Sequence, residues 1–119
     1  MERTIRTRKG KKLVGKIVKV RMEKEYPEAK SHVAIGEVLE ETIQYLRIRC
    51  RTYHFGKYKN QRNIKTGSIQ VRCFPWHRIA VITELSQSAE WQNPKVRLNE
   101  EGRLILDDGW NTEIEEAAY

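Results

Sequence analysis

Between Thr42 and Thr83 the chain contains no aspartate and no glutamate. A stretch this long without an acid holds no carboxylate to grip a divalent metal or to act as general base. Other absences narrow the field further. There is no glycine-rich phosphate loop, no nucleophile elbow and no Ser/His/Asp set, so no enzyme, catalytic residue or cofactor is expected. The cysteines number two, Cys50 and Cys73, too few to build a structural zinc site by themselves, and their setting in alternating apolar segments predicts buried free thiols. His32, His54 and His77 share no ligand spacing, so no metal site is expected either. No apolar run approaches the roughly 20 residues that cross a bilayer, and Met1 to Lys12 lacks the apolar core of a secretory leader. A cytoplasmic protein without a membrane partner is the expectation.

What fills the acid-free window is cationic and aromatic. It holds nine cations, Arg47, Arg49, Arg51, Lys57, Lys59, Arg62, Lys65, Arg72 and Arg78, interleaved with Tyr45, Tyr53, Phe55, Tyr58, Phe74 and Trp76. One sign of charge dotted with rings suits a polyanion with stackable bases. The whole 119-residue chain carries a net charge of +7, unevenly spread. Residues 1–82 hold 20 Lys and Arg against seven acids, whereas residues 83–119 hold three against nine. Such a split predicts a basic binding body and an acidic C-terminal segment.

Hydrophobic alternation divides the chain. Residues 1–12 are too polar to offset the entropy of ordering and read as a flexible basic arm. Leu13 to Arg21 is β-branched and strand-like, and Val33 to Glu40 is a second strand with Gly36 where a bulge or sharp bend would sit. The clearest strand follows, with Leu46, Ile48 and Cys50 facing one way and Arg47, Arg49, Arg51 and Tyr53 the other. His54 to Ser68 reads as a long loop. In Ser68 to Cys73 the pattern places Ile69, Val71 and Cys73 inward and Gln70 and Arg72 outward. Phe74-Pro75-Trp76 is a kink, because proline donates nothing to a ladder, and Ile79 to Thr83 reads as an apolar strand buried on both faces. Ser86 to Pro94, with Trp91, is a loop. Asn99 to Gly102 then marks a hairpin between Val96–Leu98 and Arg103–Leu106, with glycine at the left-handed position. Thr112 to Tyr119 reads as a last helical turn or an acidic tail. The fold class is therefore all-β: a small, strongly bent five-stranded barrel over residues 13–85, with a C-terminal β-hairpin extension and acidic tail over 86–119.

The segment Arg72-Cys73-Phe74-Pro75-Trp76-His77-Arg78-Ile79-Ala80-Val81-Ile82 resembles the fourth strand, one-turn kink and fifth strand of the Sm-like family, whose barrel is of the SH3-like kind. With the bent strand through Gly36, the resemblance covers about Leu13 to Leu85. It implies an Sm-like barrel and a homo-oligomer whose seams lie at Ser68 to Cys73 and Ile79 to Ile82.

The expected activity is non-catalytic binding of RNA or another single-stranded nucleic acid. Arg47, Arg49 and Arg51 recur every second residue, about 7 Å apart along a strand, a spacing comparable to that of backbone phosphates. Arg72, Lys57, Lys59, Arg62 and Lys65 would add charge, while Tyr53, Phe55 and Tyr58 would stack on bases. Two alternatives stand beside this: a structural, protein-interaction oligomer, and an architectural barrel for duplex DNA.

Overall fold

The computed structural model describes residues 13–26, 29–56, 64–93 and 95–115. The basic arm, Lys57, Tyr58, Lys59, Arg62 and the last four residues lie outside them. Among the described residues the protein is all-β. Its strands are β1 (Ile17–Met22), β2 (Ser31–Glu41), β3 (Tyr45–Phe55), β4 (Lys65–Thr66), β5 (Gln70–Pro75), β6 (Ile79–Glu84), β7 (Val96–Leu98), β8 (Leu104–Leu106) and β9 (Thr112–Glu113). A single 3-10 turn, Trp76–Arg78, joins β5 to β6.

The larger sheet runs β4-β3-β2-β1-β6, with β5 also paired to β3, and every pairing is antiparallel. β5 takes the first half of β3 and β4 takes its end. β5 and β6 therefore lie at opposite edges, and the sheet does not close into a barrel. A second sheet, β9-β8-β7, is built entirely from the C-terminal segment.

Both faces of the large sheet are buried along most of its length, and the period-2 pattern sorts the residues between two cores. On the inner, concave face lie Val18, Val20, Met22, Ala34, Val38, Leu46, Ile48, Cys50 and Phe74. On the outer face, Ile17, Val33, Ile35, Tyr53 and Phe55 meet Trp91, Leu104, Leu106 and Ile114. The expected hairpin extension is thus one wall of a core. Its turn is as the sequence indicates: Gly102 has φ of 80°, and its N–H donates to Asn99 O at 3.0 Å. Thr112–Glu113 forms a strand against β8 rather than a helical turn.

Three other expectations change. Phe74 stands opposite Leu46 and Arg72 opposite Ile48, and directly paired residues share a face, so Arg72 lies inward and Val71 and Cys73 outward. The sequence pattern is off by one residue, which inverts every side chain in the strand. The Phe74 ring decides the register, because burying it removes more apolar area from water than burying Val71 or Cys73 would. Cys73 is accordingly an exposed thiol, while Cys50 is buried. β6 is an edge strand, half-buried over Ile79–Ile82 and exposed at Thr83 and Glu84, rather than buried on both faces. Finally, Trp91 does stand in a loop as the sequence indicates, but it is 5% exposed and sits in the outer core. Truncating a buried ring of that size costs about 3 to 5 kcal/mol.

Gly36 is the point at which β2 and β3 come closest. A Cβ there would strike the Arg49 carbonyl oxygen and stand 2.6 Å from Cys50 Cα, both of them backbone atoms. The ladder bulges two residues later, between Val38 and Glu40. Gly36→Ala is expected to lower stability by about 3 kcal/mol or more, read as a drop in the urea midpoint. A wild-type midpoint would show that the strands separate freely at this position.

Candidate nucleic-acid interface

The arginine row forms on the outer face of β3, but strand pairing gives each member a neighbour. Arg47 lies opposite Glu40, with their charged groups 3.8 Å apart. An ion pair this exposed is worth at most about 1 kcal/mol. Arg49 lies opposite Glu37, and its guanidinium sits 5.2 Å from the centroid of the Trp91 ring. Arg51 donates from Nη1 to Gly67 O at 2.9 Å and from Nη2 to Gln92 O at 3.0 Å. The window that is free of acid along the chain is lined with acid in space, because β2 supplies Glu37 and Glu40 to β3.

Beyond Arg51 the same face passes beneath the C-terminal sheet. Tyr53 is 0% exposed and Phe55 4% exposed, so neither ring offers a stacking surface. This corrects the expectation that they hold bases: alternation gave them the right face, and the second sheet covers it. Burial pushes the Tyr53 phenol up to about 12, and its hydroxyl is buried without a hydrogen-bond partner. The covering segment is held by polar contacts as well. Lys19, buried on the outer face of β1, donates from Nζ to Glu113 O at 2.7 Å. Arg103 pairs with Glu113 at 3.2 Å. Asp108, fully buried, accepts from the Trp110 N–H at 2.8 Å and from the Thr112 hydroxyl, and so shapes the turn between β8 and β9.

A different set of cations makes no ion pair among the described residues. On the inner face at the far end of the sheet, Lys65 (β4), His54 (β3) and His32 (β2) are directly opposed across three strands. The two imidazoles stack with centroids 4.0 Å apart. Burial, then the charges of His54, Arg72 and Arg78, depress His32 to about 4. Burial, then Arg72, Lys30 and Lys65, holds His54 below the usual histidine range. Lys30, Lys65, Arg72 and Arg78 are all exposed. Lys57, Tyr58, Lys59 and Arg62 lie in the chain between β3 and β4, outside the described residues. Of the predicted site residues, the structure therefore brings Lys65 and Arg72 to one place, and separates them from Arg47, Arg49 and Arg51 on the opposite face.

Sequence reasoning missed His32, Lys30 and Arg78 as members of this group. Nothing in the local pattern links residues 30 and 32 to residues 72 and 78; only the antiparallel pairing does. Burial also pushes the Cys50 thiol up to about 11, with Arg72 acting in the opposite sense. Among the described residues no group of three His, Cys, Asp or Glu is placed to hold a metal ion, and no helix is long and apolar enough to cross a membrane.

Set against models of known families, curated proteins and solved structures, the chain matches none.

The imidazole pair has a consequence for stability. A histidine whose folded-state value lies below its unfolded value favours folding while neutral. That contribution is complete above about 6.5, the unfolded value, and is lost as pH falls through the window from 6.5 to about 4. Allowing for partial exposure, the loss is on the order of 2 kcal/mol. His32→Gln is expected to flatten the fall in urea midpoint between pH 6.5 and pH 4.5 relative to wild type. Parallel pH profiles for the two proteins would contradict a neutral, buried His32.

Proposed function

We propose that the protein binds single-stranded nucleic acid, RNA foremost, without catalysis, through the cationic end formed by Lys30, Lys65, Arg72 and Arg78, with Lys57, Lys59 and Arg62 as further cations supplied by the sequence. One observation carries this: four exposed cations from separate segments of the chain act on two stacked histidines, and among the described residues the charges that hold those histidines down are basic. A solvated surface that served only solubility would mix its signs, as the outer face does with Glu37 and Glu40. Phosphates are the partner that makes such a concentration of charge favourable, by releasing condensed counterions. Tyr58, between Lys57 and Lys59, supplies a ring for base stacking.

The proposed assembly is an Sm-like homo-oligomer. Its support is the strand order, which leaves β5 and β6 at opposite edges with unpaired backbone groups. β5 also exposes apolar surface, Val71 being 47% exposed. Pairing β5 of one copy with β6 of the next would satisfy both edges and continue the sheet between subunits. The same edges favour the second reading, a structural oligomer indifferent to nucleic acid. Light scattering with and without RNA separates the two.

A fluorescence-anisotropy titration with a short single-stranded RNA tests the binding. If four or five phosphates are neutralised per subunit, log affinity falls against log salt with a slope of about −3. The double substitution Lys65→Gln, Arg72→Gln is expected to make that slope shallower by about 1.4, whereas Lys95→Gln leaves it unchanged. A salt-independent affinity, or tighter binding to duplex DNA than to single strands at equal salt, would overturn the reading.

A further inference from the structure

The stacked histidines stand out within the cationic end. Two imidazoles facing each other across adjacent strands gain nothing by both being charged, and every neighbouring charge opposes protonation. The elements packed around them present Arg72 from β5, Arg78 from the turn before β6, Lys65 from β4, Lys30 before β2, and Cys50 from β3. On the β1–β2 connection Glu23 is exposed, and its N–H donates to Arg78 O at 2.8 Å. Among the described residues His32 Nε2 is buried and has no hydrogen-bond partner. A buried polar nitrogen left unpaired costs about 1 to 3 kcal/mol, and a native fold keeps such an atom where something else satisfies it. When that nitrogen carries a proton, an anion that accepts hydrogen bonds would satisfy it.

We infer that the His32–His54 pair, with Arg72, Arg78 and Lys65, forms a seat for a phosphate monoester that takes up a proton as it binds. A monoester dianion fits better than the single charge of a backbone diester, because Arg72, Arg78 and Lys65 each act on one or both imidazoles of a stacked pair. Its oxygens can accept from the two guanidiniums and from an imidazole N–H. The bound dianion reverses the field at the pair and makes a charged imidazole favourable; binding therefore transfers one proton from solvent to a histidine nitrogen. No bond in the ester breaks. Affinity rises as pH falls from 8 toward 6, and declines below about 6, where the monoester itself loses its second charge. Two sources carry this chemistry: a small free phosphate and the phosphorylated end of a nucleic-acid strand. The inference deepens the proposed function and rests on it only for the second source.

The test follows the histidine ring nitrogens of the wild-type, full-length protein by heteronuclear NMR, with and without inorganic phosphate, at constant ionic strength set with chloride. Saturating phosphate is expected to raise the pKa of His54 from its lowered value, or that of His32 from about 4, to about 7 or above, which for His32 means by linkage about a thousandfold tighter phosphate binding to the protonated form. His32→Gln and Arg72→Gln are each expected to weaken phosphate binding at least tenfold, and Lys95→Gln to leave it intact. His54→Gln provides the second variant should His32→Gln fail to fold, and the wild-type titration stands independently of any variant. No change in either imidazole at saturating phosphate overturns the seat, even where RNA still binds. A shift with phosphate in a protein that ignores RNA upholds the seat and overturns the nucleic-acid reading instead. Comparing 5′-phosphate and 5′-hydroxyl RNA of one sequence assigns the source. Tenfold tighter binding of the phosphorylated strand, lost in Arg72→Gln, points to strand ends, and equal binding alongside a phosphate shift points to a small phosphate.

Discussion

The antiparallel contact between β2 and β3 is the constraint from which the rest of this molecule follows. Both strands are eleven residues long and lie side by side over almost their whole length, from Ser31–Phe55 to Glu41–Leu46. Their closest approach is at Gly36, where no other residue leaves room for the Arg49 carbonyl and the Cys50 backbone. Each strand then sends alternate side chains into two cores. Val33 and Ile35 go to the outer core with Tyr53 and Phe55, while Ala34 and Val38 go to the inner one with Ile48 and Cys50. A strand pair buried on both sides needs cover on both sides. Phe74, with Leu13, Trp76, Ile79 and Ile82 packed beside it, covers the inner face, and the C-terminal sheet, with Trp91, covers the outer one.

The same pairing redistributes charge. Acids and bases separated along the chain become neighbours, so Glu37 and Glu40 temper the row of arginines that a linear reading singles out. Arg51 is turned into a structural clamp, gripping Gly67 O and Gln92 O and tying the C-terminal segment to the sheet. At the other end the redistribution works in the opposite sense. Lys30, Lys65, Arg72 and Arg78, distributed over residues 30 to 78, act on two stacked histidines and make no ion pair among the described residues. Electrostatic energy falls off with distance in space rather than along the chain, so no run of sequence announces the second group.

Stability and binding meet in those histidines. Burial and cationic neighbours keep them neutral, which favours the fold near neutral pH and leaves the Nε2 of His32 without a partner. A site that is strained electrostatically when empty is one that an anion relieves. The open edges at β5 and β6 are a second unfinished feature, since a strand edge with free backbone groups is satisfied by another strand.

By itself the sequence determined the class of structure and much of its local detail: the all-β composition, the alternation of Leu46, Ile48 and Cys50 against the arginines, the glycine at the crossing of two strands, and the hairpin closed by Gly102. These are short-range properties, set by side-chain periodicity and by which residues tolerate a given backbone shape. Tertiary structure alone decided the register of β5, where one bulky ring outweighed two smaller apolar residues, and the fate of Tyr53, Phe55 and Trp91, whose burial depends on a sheet formed some 40 to 60 residues further along the chain than the first two. It also decided which cations are tempered by acids and which are not. Those outcomes depend on contacts between distant segments, and alternation within one strand says which face a residue takes but not what will come to rest upon it.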